Sequence, residues 1–230
     1  MQAPRREGLL EVLGVNGRRE LLARARTVRV RKGQLVLAKG EPGGDVFIVR
    51  EGRLHIVLYT ADGYEVSLRE LAEGQLFGEL AAIDGEARSV GIVAATDARL
   101  LAIRPEVFRA VVRDYPEVAD WLIRRLTAQV RSLTDRVFEL SALSVRARLH
   151  CELMRVARSQ ADGGEPAPSH AELANRIGTH REAVTRELGI LADLKIIRRG
   201  RRRLEFLDIA GLEDLVAASV LGPVGEQGWW

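Results

Sequence analysis

The chain has 230 residues, which is enough for two modest domains or for one domain and a long connecting helix. Hydrophobic residues make up 47% and charged residues 29% of the chain, as is typical of an ordinary soluble protein. No apolar run approaches the roughly 20 residues that span a bilayer, and the opening residues lack the apolar region of a signal peptide. We therefore expect a cytoplasmic protein with no membrane partner. One cysteine excludes an intrachain disulfide and a multi-cysteine metal site, and we expect no metal.

The N-terminal part of the chain has the pattern of a small all-β domain. A helical stretch at residues 9–26 is followed, over residues 27–104, by short β-branched segments separated by glycine-containing turns. Most of these segments alternate polar and apolar side chains, which is typical of half-buried strands. The pattern predicts a small antiparallel barrel or roll.

A long helix is predicted next, because the glycines stop at about residue 105 and Pro116 suits a first helical turn. Within this helix a heptad seam recurs with spacings of four and three residues. The seam consists of Leu126, Val130, Leu133, Val137, Leu140 and Ser144. Such a seam is buried best against a copy of itself, so we expect residues 117–143 to form a dimerisation coiled coil. Packing of the seam on the chain's own domain is the alternative.

Two capping-box patterns ten residues apart predict a helix-turn-helix after a further helix at residues 145–159. The first pairs Ser169 with Glu172 and the second pairs Thr179 with Glu182, with Gly178 between them. The helical period predicts an inward face made of Leu173, Ala174, Ile177, Val184, Leu188 and Leu191. The same period leaves an exposed face on the second helix with Arg181, Glu182, Thr185 and Arg186.

Positive charge is concentrated in this C-terminal part. Residues 176–203 contain nine basic and three acidic residues, whereas the whole chain has a net charge of only +3. A dense basic patch in a balanced chain indicates a polyanion partner. Residues 195–209 predict a two-stranded wing that turns at Gly200, and we expect Arg201, Arg202 and Arg203 to contact DNA phosphates. A merely solvated hairpin is the alternative for this arginine run.

Three segments together resemble the CRP/FNR superfamily of bacterial transcription regulators. Residues 39–56 resemble the start of its cyclic-nucleotide-binding roll, residues 77–89 its phosphate-binding cassette, and residues 171–186 its helix-turn-helix. The resemblance implies an α+β fold with an N-terminal antiparallel β-roll, a long central dimerisation helix and a C-terminal winged helix-turn-helix. We expect an effector domain at residues 1–116, the central helix at 117–143, the DNA-binding domain at 144–222 and a tail at 223–230.

The resemblance implies a site for a cyclic nucleotide, either cAMP or cGMP. Arg88 has a planar fork that suits a phosphate, Glu79 is an acceptor for a ribose hydroxyl, and Gly78 allows a close backbone approach. The further contacts that the resemblance implies are Leu80, Ala81 and Ser89 in the cassette, with Ser89 as a second phosphate donor, and Leu133 and Thr134 on the central helix. The resemblance implies two adjacent hydroxyl residues where the central helix meets the base, and here only Thr134 has a hydroxyl. Binding of cAMP, binding of cGMP and the absence of any ligand therefore all stay open. A surface ion pair between Glu79 and Arg88 is the alternative.

The resemblance also implies a DNA interface. Arg181, Glu182 and Arg186 correspond to the family's base-reading positions, and arginine suits guanine as glutamate suits cytosine. The remaining expected DNA contacts are Ser169, Thr179, His180 and Thr185, together with the three wing arginines.

These patterns predict a homodimeric, ligand-regulated regulator that binds double-stranded DNA, with RNA polymerase as a further partner if it activates transcription. One rival is the same DNA-binding role with a different effector or none. Another is a cyclic-nucleotide-binding module that regulates a protein partner. An enzyme is the weakest rival, because no catalytic constellation is found in the sequence. The adjacent His150 and Cys151 point about 100° apart on a helix and cannot form a nucleophile–base pair.

Overall fold

The computed structural model describes residues 8–59, 65–161, 168–200 and 203–221. The chain divides into two compact units, one ending at residue 130 and the other running onward from residue 131. Antiparallel strands dominate the first unit and helices the second, which confirms the predicted α+β class. The predicted domain boundaries at residues 116 and 143 stay predictions. Among the residues that the structure describes, no helix combines the length and apolar composition needed to cross a membrane.

The first unit is an antiparallel roll with short helices packed against it. Its helices are α1 (Leu9–Val12), α2 (Gly14–Arg24), α3 (Glu79–Asp84) and α4 (Pro105–Asp114). Its strands are β1 (Arg26–Val30), β2 (Leu35–Leu37), β3 (Val46–Glu51), β4 (Leu54–Tyr59), β5 (Glu65–Leu71), β6 (Leu76–Phe77), β7 (Gly91–Ala94) and β8 (Ala98–Ile103). They form two antiparallel sheets with strand orders β1-β8-β3-β6 and β2-β7-β4-β5, and the predicted roll is confirmed.

Strand β3 is buried on both faces, which explains why its sequence is an unbroken apolar run. Phe47 and Val49 pack inside the roll. Val46 and Ile48 belong to a second cluster that also contains helical residues such as Phe108. A strand covered on both sides has no polar face, so its side chains do not alternate.

A long helix, α5 (Pro116–Ala142), starts at the predicted proline. Its first turns bury Val118 and Leu122 in the core of the first unit. Further along the helix, the seam residues Val130, Leu133 and Val137 are exposed by 62%, 59% and 63%. The helix predicted at residues 145–159 follows and starts at residue 145, as predicted.

The second unit contains the helices of a winged helix-turn-helix. Its elements are α6 (Val145–Ala161), α7 (His170–Ile177), α8 (Arg181–Asp193), β9 (Ile197–Gly200), β10 (Arg203–Phe206) and α9 (Ile209–Leu221). All six side chains predicted to face inward from the two central helices are buried, together with Leu149 and Leu153 of α6 and Leu212 of α9. The predicted helix-turn-helix packing is therefore confirmed.

The two predicted capping boxes have different outcomes. Ser169 forms its box, because its hydroxyl accepts from the Glu172 N–H at 3.2 Å and its own N–H donates to the Glu172 carboxylate at 2.6 Å. The box at Thr179 is wrong, since α8 begins at Arg181 with His180 as the N-cap and without a side-chain cap bond. The physical reason is that the Thr179 N–H closes the preceding helix by donating to Ala174 O at 2.9 Å.

The wing is an antiparallel pair of β9 and β10, as predicted. Gly200 pairs with Arg203 and is the last residue of β9. Arg201 and Arg202 lie outside the described residues, as do residue 222 and the predicted tail at residues 223–230, and only the backbone of Arg203 is described.

Candidate ligand site and DNA interface

Arg88 is buried in the first unit with only 6% of its surface exposed. Its Nη1 donates to Gly78 O at 2.9 Å and its Nη2 donates to Asp45 O at 2.8 Å. The Nε–H is buried and has no partner among the described residues. Because a guanidinium has five N–H donors, three remain for a further acceptor. The two hydrogen bonds fix the plane of the guanidinium, and the remaining N–H groups can bind an anion.

Burial lowers the pKa of Arg88, and the nearby Glu41 and Asp45 carboxylates raise it in part. Arginine stays protonated in proteins all the same, so the roll holds a permanent positive charge whose direct partners are neutral carbonyl groups. A buried charge without a charged hydrogen-bond partner is costly. An anion at this position would offset that cost.

Gly78 adopts a left-handed conformation, with φ +80°, next to the Arg88 guanidinium. A Cβ at this position would lie 2.9 Å from Arg88 Nη1 and 2.9 Å from Asp45 O. Both the backbone conformation and the close contact therefore require glycine.

Glu79 starts helix α3 and is buried. Its carboxylate lies 3.9 Å from Arg125 Nη2, which donates a shorter bond of 2.8 Å to Leu76 O. The Arg125 guanidinium also lies over the Trp121 ring, 5.9 Å from its centroid. Because the ion pair is long, the Glu79 carboxylate keeps acceptor capacity beside the Arg88 site.

The other predicted ligand residues occupy two places. Leu80 and Ala81 follow Glu79 on α3, with Leu80 exposed and Ala81 buried, and Ser89 is exposed next to Arg88. The fold thus brings the cassette residues 78–81 together with Arg88. Leu133 and Thr134 lie on the exposed length of α5 in the second unit.

The predicted DNA contacts lie on and around the outer face of α8. Arg181, Glu182, Thr185 and Arg186 are all exposed there. Thr185 Oγ1 donates to Arg181 O at 3.0 Å and lies 2.9 Å from His170 Nδ1. Ser169 and His180 are exposed at the starts of α7 and α8, and Thr179 is half-buried between them.

Sequence reasoning missed the buried polar groups of the second unit. On the inner side of α8, Glu187 Oε1 accepts from Arg146 Nε at 2.7 Å and lies 2.8 Å from His150 Nε2. The sequence does contain one sign of this cluster, which is a charged residue on the apolar face of a helix. Glu187 lies on that face because it follows Val184 by three positions and precedes Leu191 by four.

A second missed cluster surrounds Glu152 of α6, which is also buried. Its carboxylate accepts from Arg155 Nη1 at 3.0 Å and Arg176 Nη1 at 3.2 Å, and Arg136 Nη2 lies 3.1 Å away. The partners come from α5, α6 and α7, so one carboxylate joins three helices of the second unit.

Comparison with known proteins agrees with this arrangement. Residues 27–115 match the family model "Cyclic nucleotide-binding domain", and residues 147–215 match "Crp-like helix-turn-helix domain". The Cyclic AMP receptor protein of Thermus thermophilus is 32% identical over 184 residues, which cover 80% of this chain and 85% of the relative. The chain belongs to the CRP/FNR superfamily. As a member of this superfamily it is a DNA-binding transcription regulator that contains a cyclic-nucleotide-binding domain.

Two further comparisons support membership of the CRP/FNR superfamily. The CRP-like cAMP-activated global transcriptional regulator of Mycobacterium tuberculosis is 28% identical over 180 residues, with 76% of this chain and 78% of the relative covered. The solved structure of a CRP/FNR-family transcriptional regulator from Thermus thermophilus has a TM-score of 0.65 and 27% identity, with coverage of 84% of this chain and 100% of that one. Both relatives bear the names of transcription regulators, not of enzymes.

Proposed function

We propose that this regulator binds a cyclic nucleotide in its β-roll through Arg88 and Glu79 and acts as a homodimer on a two-fold symmetric DNA site. Cyclic AMP is the first candidate, because the names of the Thermus thermophilus and Mycobacterium tuberculosis relatives contain it. Cyclic GMP is the second candidate, since the phosphate and ribose ends of the two molecules are the same. The expected cellular location is the bacterial cytoplasm, where the DNA is.

The observation that carries this proposal is the buried Arg88 with three N–H donors left beside the buried Glu79. A cyclic phosphodiester has one negative charge, which a guanidinium binds with charge-assisted hydrogen bonds. Glu79 supplies an acceptor for a ribose hydroxyl, and the missing Cβ of Gly78 leaves the room that the Arg88 guanidinium occupies. The residues present therefore fit a cyclic nucleotide. Ser89 adds an exposed hydroxyl next to Arg88.

Support for a homodimer comes from the exposed seam of α5. Val130, Leu133, Val137 and Leu140 are 53–63% exposed and recur at heptad spacing along one helix. A contiguous apolar stripe on a surface helix marks an association site, and the heptad spacing fits a second copy of the same helix. RNA polymerase is a further partner if the protein activates transcription.

The proposed mechanism is a shift of population between dimer states. A ligand that binds one state better increases the population of that state by its differential affinity. The favoured state holds the two α8 helices one turn of DNA apart, so that both enter the major groove. In this mechanism, Leu133 and Thr134 are the residues through which we expect α5 to respond to the ligand.

Isothermal titration calorimetry with cAMP and cGMP tests the ligand site. Arg88→Ala removes charge-assisted hydrogen bonds to a buried anion and should cost about 1.5–3 kcal/mol, roughly ten- to hundredfold in affinity. Arg50→Ala is the matched control, because Arg50 is exposed on β3 of the same roll. Wild-type protein that gives no heat with either nucleotide at millimolar concentration would rule out this effector class. Equal affinity of Arg88→Ala and wild type would rule out the residue assignment.

A further inference from the structure

A hydrogen-bonded cluster lies behind the DNA-reading helix α8. Glu187 is buried on the inner side of α8, next in sequence to the exposed Arg186. Its Oε1 accepts from Arg146 Nε at 2.7 Å and lies 2.8 Å from Nε2 of His150, and both partners belong to α6. The cluster therefore connects the inner face of the DNA-reading helix to the helix behind it.

His150 is only 2% exposed, and its protonation state decides how the cluster is satisfied. An ionised Glu187 can only accept, so the hydrogen bond places the proton of the neutral ring on Nε2. The Nδ1 atom is then an unprotonated acceptor, and it is buried without a partner among the described residues. A second proton would create a buried N–H donor that has no acceptor and a buried positive charge.

The charges around the ring come from two helices. Glu187 of α8 favours the protonated form, and Arg146 of α6 opposes it. Helices α7 and α9 also pack against α6, but no charged group that the structure describes on them shifts the titration of the ring. Burial is the largest influence and lowers the pKa of His150 below its ordinary value.

We propose that Glu187 is a positioning residue for the DNA-reading helix, and that protonation of His150 loosens this helix and weakens DNA binding in acid. The inference rests on the proposed DNA-binding role of the outer face of α8. An exposed histidine near DNA has the opposite effect, because its protonation attracts the phosphates. His180 at the start of α8 is an exposed histidine on the predicted DNA-binding face. The sign of the pH effect therefore separates the buried from the exposed histidine.

Hydrogen–deuterium exchange of the α8 amides in the full-length protein tests the cluster without DNA. An opened state with an ordinary histidine pKa of about 6.5 takes up a proton below that pH, so opening should increase by up to about tenfold per pH unit below 6.5. After correction for intrinsic exchange rates, wild type should show at least tenfold more opening at pH 5.0 than at pH 7.5. His150→Gln keeps an N–H donor toward Glu187 and cannot titrate, so it should show no such change. Equal opening of α8 in wild type and His150→Gln at pH 5.0 would overturn the proposal.

Fluorescence anisotropy then tests the effect on DNA binding, with a duplex selected by the wild-type protein from a random-sequence library. At constant salt, wild type should lose at least tenfold more affinity than His150→Gln between pH 7.5 and pH 5.0. The control His55→Gln removes a histidine from the β-roll and should follow the wild-type profile. Parallel profiles of wild type and His150→Gln would contradict the proposal. A wild type that selects no duplex would refute the proposed function, while the exchange experiment still decides the role of the cluster.

Two substitutions of Glu187 test its positioning role directly. Glu187→Gln keeps an acceptor oxygen and should bind the selected duplex at pH 7.5 within about threefold of wild type. Glu187→Leu leaves Arg146 and His150 without that acceptor and should bind at least tenfold more weakly. Equal affinity of the two variants would show that α8 is positioned by apolar packing alone.

Discussion

Arg88 and Glu79 are charged side chains that the roll buries although each has few charged partners. Burial of charge is weak evidence for stability, because desolvation often exceeds the gain from pairing. Groups of this kind are common at binding sites, where the ligand supplies the missing partner. At the residue scale, we therefore expect the proposed nucleotide to stabilise the cassette.

Gly78→Ala tests the contact between the cassette backbone and Arg88. The new Cβ would meet Arg88 Nη1 and Asp45 O at 2.9 Å, in addition to the strain of a φ of +80°. We expect a loss of about 2–3 kcal/mol in the free energy of unfolding, measured with urea, and a loss of nucleotide affinity. Gly74→Ala is the control, because its φ is +81° and its Cβ would meet nothing within 4 Å. Equal destabilisation by both substitutions would show that the contact with Arg88 is unimportant.

His150 should also make the stability of the protein depend on pH. Burial lowers the pKa of this histidine in the folded state, so the unfolded chain binds more protons below pH 6.5. The stability that His150 contributes is complete above pH 6.5 and is lost as the pH falls toward its folded pKa. Urea unfolding of the second unit should show a smaller loss of stability between pH 7 and pH 5 for His150→Gln than for wild type. The same loss in both proteins would contradict this assignment.

At the scale of elements, the helix-turn-helix offers a matched pair of caps. Ser169→Ala removes the hydroxyl that accepts from the Glu172 N–H in an observed capping box and should lower the free energy of unfolding by about 1 kcal/mol. Thr179→Ala should cost much less, because the Thr179 side chain does not cap α8. Urea unfolding of the two variants in the same buffer measures the difference. A larger loss for Thr179→Ala would contradict the assigned start of α8.

The helix α8 and the wing should differ in how they recognise DNA. Arg181→Ala removes a predicted base contact and should cost about 1–3 kcal/mol on the preferred duplex and much less on scrambled DNA. Arg201→Ala removes a predicted phosphate contact, so it should weaken both DNAs alike and lower the salt dependence by about one unit per contact. Affinities for both duplexes at several salt concentrations decide the matter. A uniform loss for Arg181→Ala would show that this residue contacts the DNA backbone.

Patterns within one element were sufficient to predict most of the fold. The inward face of α7 and α8 followed from the helical period, since all six predicted side chains are buried. The strands β2 and β6 leave no pattern in the sequence, because two or three residues are too few to show alternation. The second capping box was wrong because the end of α7 uses the Thr179 backbone, which local spacing does not show.

At the scale of the whole molecule, the sequence could not show which charged residues share a buried site. The contact of Arg88 with Gly78 and Asp45 and that of Glu187 with His150 join residues 10 to 43 positions apart. Such contacts depend on how the elements pack and leave no periodic signal in the chain. The cassette residues themselves were predicted only because their order resembles a known family.

The dimer is tested by two aspartates placed on the same helix. Val137→Asp puts like charges face to face in the predicted apolar seam and should shift the protein to monomers. Ser132→Asp adds the same charge at an exposed position off the seam and should leave the dimer intact. Sedimentation velocity at micromolar concentration measures both. Monomeric wild type, or dimeric Val137→Asp, would contradict the role of the seam.

The most direct test of a ligand-gated regulator is the affinity of the full-length protein for its selected duplex with and without cAMP and cGMP. Fluorescence anisotropy at physiological salt should show at least tenfold tighter binding with one of the nucleotides, since coupling energies of about 1–3 kcal/mol are typical of allosteric proteins. At a nucleotide concentration that just saturates the wild type, the gain should be much smaller in Arg88→Ala, while the affinity without nucleotide stays unchanged. Equal affinity in the presence and absence of saturating nucleotide would contradict the account.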